Sequence, residues 1–177
     1  MVSATKVVLK RDSPPQEAIP QLLGGVWMTD GDILQTFEDA KKALGRPVKI
    51  AFACVAGERC SPLMGLAFDQ AMRRKGFNGF IHTDSFGLHN KQLAEKPVEE
   101  IARYARDYDL LVTFNFLVPM LDKVAKTLPE DQRPGIFAYS VQAASLTILD
   151  DIGKAYLDPL IQQIARHLRK KVVQATR

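Results

Sequence analysis

The sequence predicts an α/β fold built on a four-stranded parallel sheet with helices on both faces. Three observations predict it. Four short apolar runs bounded by turn residues recur at positions 48–54, 79–83, 110–114 and 135–139. A segment with helical spacing follows each of them, and such strand and helix alternation favours parallel crossovers. The length of 177 residues, 46% hydrophobic and 25% charged, suits one domain with a sizeable core.

Residues 1–46 are expected to form an N-terminal extension before a main domain of residues 47–177. The extension holds a β-like run from Lys6 to Lys10, a turn-rich stretch with Pro14, Pro15 and Pro20, and Gly24-Gly25. Trp27 is expected to dock this segment on the domain. A helix then follows, with Asp30 as its N-cap, Ile33, Leu34, Phe37 and Ala40 at helical spacing, and Gly45 and Pro47 as its stop.

Val48 to Cys54 reads as a buried strand. Gly57 breaks it, and Ser61-Pro62 supplies a cap and a first-position proline for a helix that Gly76 ends. Leu63, Leu66, Ala67, Ala71 and Met72 form its expected inward face. Next come a strand at 79–83, a helix at 97–106, a strand at 110–114, a helix at 117–128, a strand at 135–139 and a final helix at 154–173. Asp107 and Asp109 read as the turn that leads into the third strand.

Charge and cysteine content narrow the function classes. The chain carries 24 basic and 20 acidic side chains, a net +4. Arg166, Arg169, Lys170, Lys171 and Arg177 lie near its end; without those five charges the balance is −1. Basic residues in the last turns of a helix complement its dipole, so this composition argues against a nucleic-acid surface. No apolar run nears the roughly 20 residues that span a bilayer, and Val7-Val8-Leu9 between lysines makes no secretory signal. Two cysteines make no disulfide framework, which points to a reducing, cytoplasmic setting where thiols serve packing or chemistry. His82, His89 and His167 have no metal-ligand spacing, and no metal or other cofactor is expected. Phe114, Phe116 and Tyr139 stand at strand ends, where either a core or a pocket would use them.

The segment AFACVAGERCSPLMGLAF, residues 51–68, carries the chemistry. It sets Cys54 at the carboxyl end of a buried strand, before a short glycine-containing loop and a helix N-terminus. Backbone N–H groups and the positive helix end then converge on one point, which suits an anion and favours a nucleophilic thiolate. The candidate site comprises Cys54, Val55, Ala56, Gly57, Glu58, Arg59, Cys60 and Ser61.

This segment resembles the phosphate loop of the low-molecular-weight protein tyrosine phosphatases and of the arsenate reductases that share their fold. In that family a cysteine is followed by five residues, Arg, Ser and often Pro; here Ser61 and Pro62 stand seven and eight after Cys54. Gly57 replaces an asparagine that takes a left-handed backbone, a conformation glycine adopts freely. The family arginine is displaced: Cys60 occupies its position and Arg59 precedes it, with Glu58 adding a negative charge. Asp84-Ser85-Phe86-Gly87 stands where the family has a Ser-Ala-Gly turn. Asp150-Asp151-Ile152-Gly153-Lys154 resembles the Asp-Pro-x-Gly-Lys turn before the last helix, with Asp151 in place of Pro. Asp158-Pro159 competes with it by dipeptide identity.

The resemblance spans roughly residues 47–173 and implies a three-layer, flavodoxin-like fold. It further implies a metal-free phosphate monoester or related oxyanion chemistry, with Cys54 as nucleophile, Arg59 on the oxyanion and Asp150 as general acid. Two alternatives stand beside it: a catalytically inactive relative that binds phosphate or a protein partner, and a phosphocarrier like the IIB components of sugar transport. Thioredoxin-coupled arsenate reductases need two further cysteines before the final turn, and residues 135–150 contain none. Cys60 reads as a packing thiol or as a redox partner of Cys54. The implied partner is a phosphorylated or oxyanion substrate, with neither nucleic acid nor membrane, and a homodimer is left open.

Overall fold

The computed structural model describes residues 26–55, 57, 60–88, 102, 105–139 and 152–175, with the side chains of 152–156 and 175 set aside. The expected strand at residues 6–10 and most of the helix at 97–106 lie outside these; of that helix, Ala102 and Ala105 are helical.

The first described element is α1, Asp30–Leu44, preceded by Thr29 as its N-cap in place of Asp30. The reason is reciprocal bonding. The Asp32 N–H donates to the Thr29 hydroxyl and the Thr29 N–H to the Asp32 carboxylate, each at 3.1 Å. A cap at Asp30 would find Ile33 at the reciprocating position, with nothing to accept. Gly45 ends α1 with φ 67. Docking of the preceding segment falls to Met28 rather than Trp27. Met28 is buried, and the buried Gln162 amide clasps its backbone, accepting from Met28 N at 2.9 Å and donating to Met28 O at 2.8 Å. Trp27 remains exposed.

β1, Val48–Cys54, pairs in parallel with β2, Ile81–Gly87, and with β3, Leu110–Phe114; β3 pairs in parallel with β4, Gly135–Tyr139. The order β2-β1-β3-β4 with every pair parallel is that of the flavodoxin-like three-layer fold. β2 starts two residues later and ends four residues later than expected. Its polar Asp84-Ser85 stretch reads as a turn, yet this edge strand stays in register with β1 up to Cys54 opposite Gly87.

The remaining elements are α2, Cys60–Arg74; a 3-10 turn Asn115–Leu117 leading into α3, Val118–Ala125; and α4, Ile152–Ala175, which carries Pro159 inside it. α2 begins at Cys60, one residue earlier than Ser61 and Pro62 suggest, and Ser61 is a buried helical residue. The inward face of α2 is Ser61, Met64, Gly65, Ala67, Phe68 and Met72, whereas Leu63 and Leu66, expected inside, are about half exposed. Small residues decide this. Ser61 and Gly65 let the helix approach β1 so closely that a Cβ on Gly65 would sit 3.3 Å from the Phe52 ring.

Phe37, Phe52, Phe68, Phe77, Ile50, Leu110, Leu111 and Ile164 are fully buried in one core that joins α1, α2 and α4 to the sheet. Each such side chain contributes about 1.5–3 kcal/mol on burial. Asp109 ties the starts of β1 and β3 together, accepting two bonds from the Arg46 guanidinium at 2.7 and 2.9 Å and one from Lys49 N at 2.8 Å. Among the described residues no helix is long and apolar enough to cross a membrane.

Candidate functional site

In the order β2-β1-β3-β4 the chain leaves β1 toward β2 on one side and returns past β1 to β3 on the other. The carboxyl ends of β1 and β3 therefore flank a crevice where ligands bind in open parallel sheets. Cys54 is the last residue of β1 and Phe114 the last of β3, so the fold itself brings the candidate nucleophile to that crevice.

Cys54 is almost entirely buried, and among the described residues its sulfur has two polar neighbours. The Gly57 N–H donates to Sγ at 3.1 Å, and Ser61 Oγ lies 3.1 Å from it. Ser61 Oγ is also 3.5 Å from the Phe86 carbonyl oxygen. Between Cys54 and Ser61 either atom can donate, whereas the Gly57 N–H can only donate to the sulfur.

The loop reaches this geometry through Gly57. Its φ is 75, and a Cβ on it would stand 2.3 Å from Gly87 N and 2.8 Å from the Phe86 carbonyl carbon. A side chain is excluded both by the left-handed backbone and by the end of β2. Asp84-Ser85-Phe86-Gly87 thus serves as the wall of the loop, not as a separate turn. The ladder continues one bond further, from Leu88 N to Cys54 O at 2.8 Å.

Of the residues singled out by the sequence, Cys54, Gly57 and Ser61 are brought into contact. Val55 is exposed directly beyond the strand, and Cys60 is half-buried at the first position of α2. Ala56, Glu58, Arg59, Asp150 and Asp151 lie outside the described residues. Asp158 is not brought to Cys54: it sits inside α4 and faces Lys75 at 3.4 Å, beyond the far end of α2. With 15 residues in α2, that end lies about 20 Å from its start at 1.5 Å per residue. Among the described residues, no cluster of three or more His, Cys, Asp or Glu side chains is placed to hold a metal ion.

The strand-end aromatics divide between core and rim. Phe114 is buried, with the Tyr139 ring 4.5 Å away on one side; Phe116 stacks 5.6 Å away and is 59% exposed. Sequence spacing gave Tyr139 no special standing, because an aromatic at a strand end packs as readily as it binds. Burial, and then the negative charge of Cys54 and of Cys60, push its phenol above the ordinary tyrosine range.

No protein-family model matches this chain, and no curated protein matches it.

Proposed function

We propose that this protein is a cysteine-dependent phosphatase, acting on phosphate monoesters or related oxyanions through a covalent intermediate on Cys54. The observation that carries the proposal is the pair of polar contacts on the Cys54 sulfur, with the Gly57 N–H as donor and with the Ser61 hydroxyl, at the carboxyl end of a parallel sheet. The spacing of Cys54, Ser61 and Pro62, similar to that of the low-molecular-weight tyrosine phosphatases, supports the same reading.

In the proposed reaction the Cys54 thiolate attacks phosphorus, an S–P bond forms, and the P–O bond to the leaving group breaks. The leaving oxygen takes a proton from an acid, the role the resemblance assigns to Asp150. Water then attacks phosphorus, its proton returns to that carboxylate, and phosphate departs with regeneration of the thiolate. Gly57 N–H and Ser61 O–H hold the sulfur as anion at the start and receive it again as leaving group at the end. Arg59 and the loop N–H groups are assigned to the equatorial oxygens.

A second reading has its own support. Cys60, the thiol at the position of the family arginine, supplies no guanidinium to a bound oxyanion, which favours a phosphate-binding protein without turnover. Hydrolysis of an aryl phosphate by the protein and by its Cys54→Ser variant, in reductant and without added metal, separates the two. Turnover lost in the variant supports the phosphatase; no turnover in either, with phosphate still bound, supports the binding protein.

A further inference from the structure

Tyr139 presents a hydroxyl that the described fold does not use. The residue is 5% exposed, and its hydroxyl oxygen is buried with no hydrogen-bond partner among the described residues. A buried phenol left without a partner is destabilising, so such a group points to something else that completes it.

Its position says what completes it. Thr113 pairs with Ala53 on one side and Ala138 on the other, so the next row across the sheet is Cys54, Phe114 and Tyr139. Residues in one row project from the same face of the sheet. Two strand spacings put the Cys54 and Tyr139 backbones about 10 Å apart. Phe114 fills the space between as a packing surface for the Tyr139 ring. The N-terminus of the 15-residue α2 opens onto the same end, with Cys60 as its first residue.

We propose that the Tyr139 hydroxyl is a ligand-binding group of the Cys54 site, donating a hydrogen bond to an oxygen of a tetrahedral oxyanion such as phosphate or a phosphate monoester. This rests on the function proposed above and adds to it a contacting residue from β4. The donor is neutral, and burial keeps it protonated throughout the neutral range. It thus offers a proton to an anion without a counter-charge, from a strand two places across the sheet from Cys54.

The test is the Tyr139→Phe variant, which removes only the O–H and leaves the ring on Phe114. The rate of Cys54 alkylation by iodoacetamide, followed by peptide mass spectrometry, is measured against rising inorganic phosphate and vanadate, beside thermal unfolding without anion. The expected result is protection in both proteins, with the half-protecting anion concentration raised about ten- to a hundredfold in the variant, as for loss of a bond to a charged group. Its melting temperature should stay equal or rise, because no partner among the described residues is lost. Equal anion affinity would overturn the role of Tyr139 while leaving the Cys54 site intact. A lowered melting temperature would also overturn it, by revealing a structural partner. Absence of protection in the unaltered protein would remove the oxyanion site itself, and the Tyr139 assignment with it.

Discussion

A single methyl group at position 57 tests how tightly the loop is built. Gly57→Ala introduces two separable penalties. The first is conformational, about 1–2 kcal/mol for a Cβ on a left-handed backbone, here at φ 75. The second is steric: the new carbon would lie 2.3 Å from Gly87 N and 2.7 Å from Gly87 Cα. Both neighbours are backbone atoms of β2, so no side chain can swing away, and relief requires the loop to retreat by about 1 Å. Overpacking of this kind costs about 1–3 kcal/mol, giving a total near 2–5 kcal/mol. Gly76 is the internal control, since its φ is 82 and nothing lies within 4 Å of its would-be Cβ. Denaturant unfolding of Gly57→Ala and Gly76→Ala should therefore show both destabilised, the former by a further 1–3 kcal/mol, about the overpacking range. Retreat also draws the Gly57 N–H away from the Cys54 sulfur, so alkylation of Cys54 should slow in that variant alone. Equal destabilisation of the two variants would refute the contact between this loop and β2.

Two further outcomes follow from the same geometry. Ser61→Ala removes the hydroxyl 3.1 Å from the Cys54 sulfur and should slow alkylation of Cys54 at neutral pH by roughly tenfold or more, the scale of a hydrogen bond to a charged group. An unchanged rate would mean that Ser61 serves only the Phe86 carbonyl. His167 is held below its ordinary range, by burial first and then by Lys171 and Lys170, and its Nε2 is buried and unpartnered among the described residues. Its proton is thus bound more readily by the unfolded chain. Stability from this group is complete above the unfolded value of about 6.5 and declines as pH falls through it toward the lower folded value. The slope of stability against pH in that window should flatten in His167→Leu, and an unchanged slope would assign it to other groups.

The strands were legible where the run is apolar along its length. β1 and β3 are central and buried, and β4, although at the edge and only partly buried, is apolar from Gly135 to Tyr139, so each ends where its apolar run ends. β2 was not, since this edge strand pairs through its backbone while His82, Asp84 and other outward side chains are polar, and Asp84-Ser85 therefore reads as a turn. The inward face of α2 was misplaced for a different reason. Leu63 and Leu66 are the larger apolar residues, but close approach to Phe52 selects Gly65 and Ser61 for the interface. At the site, Cys54, Gly57 and Ser61 could be found because loop spacing encodes contacts between neighbours in sequence. The wall formed by Phe86 and Gly87 and the residue Tyr139 arrive from other strands, and only sheet register brings them level with Cys54.

In the proposed reaction the Cys54 sulfur accepts a phosphoryl group and then releases it to water. Rapid acid quenching during reaction with an aryl phosphate, followed by peptide mapping, reads this step out. The expected result is phosphate on the peptide containing Cys54, formed and discharged at rates matching turnover, and none in Cys54→Ser. Turnover without any label on that peptide, or a label on Cys54 that water never discharges, would contradict it.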